Sequence, residues 1–187
     1  MSHQFEYADP KKYQVMIDIE TLSNRNNAAI LSIGAVKFNI ESGVIDTYYQ
    51  NIDASSAKKY NRHIDKGTLE WWSKKDPAAL KALLVDVKPF DVVIKEFVEW
   101  YGVSTPTWGN NSQFDLGIIE SACFELDIPV PWKYWHTYCY KTVTHLFGVN
   151  NADIRKVEEM QGSGGQWHNA LDDAISQTNT LVKILRG

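Results

Sequence analysis

Val15-Met16-Ile17-Asp18-Ile19-Glu20-Thr21 (VMIDIET) closes a short apolar run, Tyr13 to Ile19, of the length of one strand, and it carries its charges at the end. In a strand, residues i and i+2 project from the same face, roughly 6–7 Å apart along the backbone. Asp18 and Glu20 therefore share a face. Two carboxylates held there repel each other and lose solvation, a cost that persists only with compensation. A hard divalent cation compensates well, because Mg²⁺ prefers carboxylate oxygen and water. A solvated strand edge explains the same pair more simply. The apolar VMI before it, which should be buried, tilts the reading toward a site.

Ala28 to Phe38 (AAILSIGAVKF) and Val44 to Ile52 (VIDTYYQNI) follow as two more strand-like stretches, joined by the turn-like NIESG with Asn39 and Gly43 at its ends. Three strands at hairpin spacing predict an antiparallel meander. Asp65 to Lys74 and Pro77 to Val85 read as helices, with Pro77 suited to a first turn. Phe90, Val93, Ile94, Phe97, Trp100 and Tyr101 repeat at helical spacing. Thr105 to Gly109 reads as a brief strand, and Gln113 to Leu126 as a helix with Ser112 as N-cap. Beyond Pro129 and Pro131, Tyr134 to Tyr138 is read as a last strand and Lys141 to Phe147 as a short helix. Residues 150–166 hold QGSGGQ, read as a flexible loop before a final helix striped by Leu171, Ala174, Ile175, Thr178, Leu181, Val182 and Leu185. The order β-β-β, α, β, α, β, α predicts an α/β sandwich with a mixed sheet, in one domain over 13–187 after a loose polar arm at 1–12.

The bulk numbers agree with one globular domain. At 187 residues, 44% hydrophobic and 22% charged, the chain has an ordinary soluble composition. A chain of this size buries roughly 70% of its unfolded surface and needs no disulfide or structural metal. Cys123 and Cys139 lack a CxxC spacing and read as buried free thiols of a reducing compartment. No run of about 18 apolar residues exists, and the N-terminus lacks the pattern of a secretory signal. The expected location is therefore the cytoplasm. A formal net charge of −4 argues against a long basic nucleic-acid footprint. Four clustered carboxylates would account for that charge alone, and bound Mg²⁺ would cancel it locally.

Other chemistry-bearing residues are weak taken singly. Asp115, in WGNNSQFDLGII, stands at a helix start, where a negative charge is favourable by about 0.3–1 kcal/mol. His168, Asp172 and Asp173 lie in WHNALDDAI. Five residues of helix turn a side chain by about 140°, so His168 and Asp173 converge only if His168 precedes the first full turn. Spacing alone admits Asp172 equally well.

Together these motifs are specific. D-x-E on a first strand, N-x-x-x-F-D after a later one and H-x-x-x-x-D opening the last helix resemble the DEDDh exonucleases of the RNase H-like fold. That group includes proofreading exonucleases, oligoribonuclease and RNase T, and the resemblance covers about residues 13–185. Asp18, Glu20, Asp115 and Asp173 match its acids and His168 its histidine; the family pattern selects Asp173 over Asp172. DIETLSNRNNAAILSIGAVKF and TLEWWSKKDPAAL look most like the bacteriophage-type exonucleases and the adenylate-preferring RNase AS branch. Thr21-Leu22-Ser23 replaces the TTG of the proofreading subgroup, so base contacts are not carried over from there.

The resemblance implies a 3′→5′ exonuclease that hydrolyses the terminal phosphodiester of single-stranded DNA or RNA and releases nucleoside 5′-monophosphates. It implies two Mg²⁺ ions (Mn²⁺ as substitute) held by Asp18, Glu20, Asp115 and Asp173. His168 is implied as general base, suited by an intrinsic pKa of roughly 6.5. Closure of the QGSGGQ loop over substrate is expected. Thr21, Leu22 and Asn111 are expected at the terminal nucleotide, and Trp71 or Trp72 stacked on a base. Adjacent tryptophans on a helix cannot face one way, so one of them should be core. Trp100, Trp108, Trp132 and Trp135 are assigned to packing, and His3, His63, His136 and His145 to no chemistry. Related enzymes are often homodimers. The rival readings are a non-catalytic RNase H-like binding module and a phosphohydrolase of small molecules.

Overall fold

The structure, a computed structural model, describes residues 13–149 and 168–187. The expected arm at 1–12 and the QGSGGQ loop lie outside the described residues. Five strands, β1 (Gln14–Thr21), β2 (Ile30–Asn39), β3 (Gly43–Asn51), β4 (Thr107–Gly109) and β5 (Thr137–Cys139), form one sheet in the order β3-β2-β1-β4-β5. The first three make the expected antiparallel meander, while β4 and β5 run parallel to β1. Among the described residues the α-helices are α1 (Lys66–Trp72), α2 (Pro77–Ala82), α3 (Phe90–Tyr101), α4 (Ser112–Glu125), α5 (Tyr140–Leu146) and α6 (Ala170–Arg186). This is the mixed sheet with flanking helices of the RNase H-like fold.

Alternation along β1 explains the layering. Val15, Ile17 and Ile19 pack with Phe90, Val93 and Ile94 of α3 and with Leu116, Ile118 and Ala122 of α4. Met16 points the other way, into a cluster with Val36, Phe38, Trp108, Tyr140 and the α6 residues Ala174, Leu181 and Val182. Each fully buried aliphatic side chain contributes about 1.5–3 kcal/mol. The two faces together therefore fix which way β1 presents its even-numbered residues. Asp18 and Glu20 continue the Met16 series, toward α6.

Several boundaries differ from expectation. Asn111, not Ser112, is the N-cap of α4, because the Asp115 carboxylate accepts the Asn111 backbone N–H at 3.0 Å and draws the turn back by one residue. β4 starts at Thr107 rather than Thr105: Pro106 has no N–H, and the Thr105 N–H donates to the Tyr101 hydroxyl instead of a ladder. Tyr134–His136 is a 3₁₀ turn, and strand pairing begins only at Thr137, where β5 meets three-residue β4. α1 starts one residue late because Asp65 is its cap, accepting from Thr68 N–H at 2.8 Å. α2 ends at Ala82, and Leu83–Val85 form a turn before left-handed Asp86.

Both cysteines are free, as expected, but only Cys123 is buried; Cys139 is half-buried. Burial pushes the Cys123 thiol up to about 12, which leaves it an inert core group. Among the described residues no helix is long and apolar enough to cross a membrane.

Candidate active site

The sheet delivers its acids to one place, beside the carboxyl ends of parallel β1 and β4. Asp18 and Asp115 are almost wholly buried, at 8% and 3% exposure. Carboxylate oxygens of Asp18, Glu20 and Asp173 all lie within 4.8 Å of one another. Asp115 reaches the same region from α4, and its charge acts on Asp18. Burial holds the Asp18 carboxyl well above the usual carboxylate range; Asp115, Asp173 and Glu20 push it further, and a hydrogen bond from Gln177 opposes them. Burial also pushes Asp115 up to about 7, against backbone N–H donors at Asn111 and Ile19. Acids crowded this way carry a standing electrostatic cost that cations relieve. An all-carboxylate donor set suits a hard divalent ion.

Asp173 enters through the start of α6. Asn169 caps this helix, its Oδ1 accepting from Leu171 N–H at 3.0 Å and Asp172 N–H at 3.2 Å. That cap sets which acid of the pair meets Asp18 and Glu20. Asp173 joins Asp18 and Glu20, whereas the charge of Asp172 acts on Tyr49 of β3. His168 has φ 62 and precedes the cap, so it stands outside the helix, as convergence with Asp173 requires.

The helix start lies against β2 through Gly34, which pairs with Asp18 across the β1–β2 ladder. A Cβ on Gly34 would fall 2.1 Å from the Ala170 carbonyl carbon and 2.2 Å from the Leu171 nitrogen. Glycine is therefore required for α6 to bring Asp173 in. Sequence reasoning passed over Gly34, although a glycine inside an apolar strand is itself a signal of close backbone approach. Gln177 was also missed. It is buried on α6, one turn beyond Asp173, and donates from Nε2 to Asp18 Oδ1 at 2.8 Å.

A cleft of about 500 Å³ adjoins the acids, lined by Glu20, Thr21, Ser23, Asn24, Asp65, Thr68, Trp71, Trp72 and Phe114 among others. Of the residues expected at substrate, Thr21, Trp71 and Trp72 line it. Trp72 is the core member of its pair, 3% exposed, with its indole N–H donating to the Thr21 carbonyl at 2.9 Å. Trp71 is 44% exposed, and Lys75 Nζ lies 4.0 Å from its ring centre. The His168 ring packs edge-on against both, its centre 5.0 Å from that of Trp71 and 5.8 Å from that of Trp72.

Two expected contacts are not brought there. Leu22 is buried with Ala29, Leu31, Ala57 and Trp72, while its neighbours Thr21 and Ser23 line the cleft. Asn111 is exposed on the α4 cap and supplies a backbone N–H to Asp115 rather than a cleft wall. Among the tryptophans assigned to packing, Trp108 and Trp132 are buried, but Trp135 is half exposed on the turn before β5. His63 bonds Ser23 Oγ through Nδ1 at 2.7 Å, a structural contact.

Comparison with known proteins bears on this arrangement. Residues 13–185 match the model of a family described as the 3′-5′ exoribonuclease Rv2179c-like domain. An exodeoxyribonuclease of Enterobacteria phage T4 is 22% identical over 122 residues, which is 57% of this chain and 54% of that protein. The match thus spans about half the length of that relative. Among solved structures, the nuclease domain of 3′hExo, a DEDDh family member bound to rAMP, superposes with a TM-score of 0.59 at 16% identity, covering 93% of this chain and 92% of that one. Exonuclease I of E. coli in complex with a dT13 oligonucleotide gives a TM-score of 0.68 at 14% identity, covering 93% of this chain and 41% of that one. At such identities the likeness to both structures is one of fold.

Proposed function

The chain belongs to the 3′-5′ exoribonuclease Rv2179c-like domain family, and from that premise we propose that this DEDDh-type exonuclease, a single domain over 13–187, trims single-stranded nucleic acid from its 3′ end to nucleoside 5′-monophosphates. The observation that carries this reading is the carboxylate cluster of Asp18, Glu20 and Asp173, with buried Asp115 beside it. RNA is the first substrate to test, because the family is described by exoribonuclease activity. The phage relative keeps DNA in view.

Two Mg²⁺ or Mn²⁺ ions would be held by Asp18, Glu20 and Asp173, with Asp115 acting directly or through water. Such ions, when bound, would supply Lewis-acid stabilisation of the scissile phosphate and of the charge on the leaving 3′-oxygen. The chain's own groups do the rest. His168 takes the proton of the attacking water, a role suited to an imidazole outside the helix at the cleft edge. Trp71 offers its exposed ring to the terminal base, and Thr21 and the floor over Trp72 bound the space for one nucleoside. For a base to stack on the Trp71 face that Lys75 covers, the ammonium must move aside, toward the incoming phosphates.

The test is product analysis. Incubation with an unlabelled RNA oligomer and Mg²⁺, followed by chromatography, should yield nucleoside 5′-monophosphates and no 3′-monophosphates. Hydrolysis of small phosphodiesters with the oligomer left whole would favour the phosphohydrolase instead. Stoichiometric oligomer binding with no product would favour the binding module.

A further inference from the structure

Outside the family pattern, one buried polar side chain contacts the cluster directly. Gln177 lies on α6 four residues after Asp173, so the two share a helix face. Its side chain is 4% exposed. Nε2 donates to Asp18 Oδ1 at 2.8 Å, while Oε1 is buried with no hydrogen-bond partner among the described residues. Leaving a buried amide oxygen unpaired is costly. Packing alone would be served as well by a hydrophobic residue of that length. The Asp18 oxygen accepts from the amide nitrogen, which leaves Oε1 as the end turned away.

We propose that Gln177 is a positioning residue for Asp18. Its amide holds one carboxylate oxygen and orients the other toward the space shared with Glu20 and Asp173. Being neutral, it steadies a group surrounded by acids without a cation that would compete with the metal for the same oxygens. Because Asp173 and Gln177 ride on one rigid helix, the device also locks the spacing between two of the ligands. This rests on the reading of Asp18, Glu20 and Asp173 as a divalent-ion site.

The test uses the full chain freed of metal and titrated calorimetrically with Mn²⁺, alongside kcat and KM on an RNA oligomer. Gln177→Met keeps length and volume but cannot donate; Gln177→Leu is the second variant, and Asp18→Ala the control for the site. Support would be wild-type melting without metal, an Mn²⁺ dissociation constant raised about tenfold or more, as loss of a ligand's supporting partner typically produces, and a lowered kcat at unchanged KM. Wild-type Mn²⁺ affinity and kcat in a folded variant would overturn the role of Gln177 and leave the site reading standing. Unfolding of both variants would assign the residue to helix packing and overturn it too. If the wild-type chain does not bind Mn²⁺, or Asp18→Ala binds it equally, the site reading fails and takes this proposal with it.

Discussion

Gly34 and Ala170 are in backbone-to-backbone contact: a Cβ on Gly34 would lie 2.1 Å from the Ala170 carbonyl carbon. The start of α6, and with it Asp173, is thereby pressed onto the strand that pairs with Asp18.

Gly34→Ala should displace that helix start. Overpacking against rigid backbone costs about 1–3 kcal/mol, occasionally more. The larger effect should be on the site, because Asp173 moves away from Asp18 and Glu20. The expected result is a folded protein, with a melting midpoint lowered by several degrees, that binds Mn²⁺ far more weakly than wild type. Calorimetric titration of the variant checks it, and undiminished Mn²⁺ affinity would contradict the role assigned to this contact.

Much of this was legible in the chain because it depends on local pattern. The meander follows from apolar runs separated by NIESG, α3 from helical spacing between Phe90 and Tyr101, and the shared face of Asp18 and Glu20 from the period of a strand. What resisted reading depends on distant partners. The choice between Asp172 and Asp173 turns on where α6 begins, which the Asn169 cap determines. Gly34 looks dispensable until a helix more than a hundred residues later is laid on it, and Gln177 looks like one polar residue in a stripe until Asp18 is opposite. Leu22, expected at the substrate, packs instead among Ala29, Leu31 and Trp72, partners that the alternation of types does not reveal.

The acids predict an unusual pH dependence for the metal-free protein. Asp115 is raised from an ordinary carboxyl value to about 7, and Asp18 is raised in the same direction, in both cases chiefly by burial. The folded state thus holds these protons more tightly than the unfolded chain does. Their contribution to stability is full below the unfolded carboxyl value and is lost as pH rises toward about 7. Each pH unit that separates a carboxyl's folded and unfolded pKa is worth about 1.4 kcal/mol. In chelator, the melting midpoint should fall between about pH 4 and about pH 7, and the rise produced by added Mg²⁺ should grow over the same interval. A Mg²⁺ effect that shrank with rising pH would contradict the assignment.

The two tryptophans should separate cleanly. Trp71→Ala removes an exposed ring, and stacking on a base is worth about 1–3 kcal/mol, so KM for an oligomer should rise about tenfold with little change in melting. Trp72→Ala empties the cluster around Leu22 and Leu83 and leaves the Thr21 carbonyl without its indole donor. It should cost about 3–5 kcal/mol of stability. Denaturant unfolding beside steady-state kinetics distinguishes the two. Equal stability losses would mean that both rings are core.

The most direct measurement is digestion of a 5′-labelled single-stranded oligonucleotide, as RNA and as DNA, with Mg²⁺ or Mn²⁺, resolved on a denaturing gel. The account predicts a ladder that shortens from the 3′ end, disappears in chelator, and is absent with Asp18→Ala and with His168→Ala while both variants remain folded. An oligomer left intact under every condition, or a ladder that survives Asp18→Ala, would contradict it.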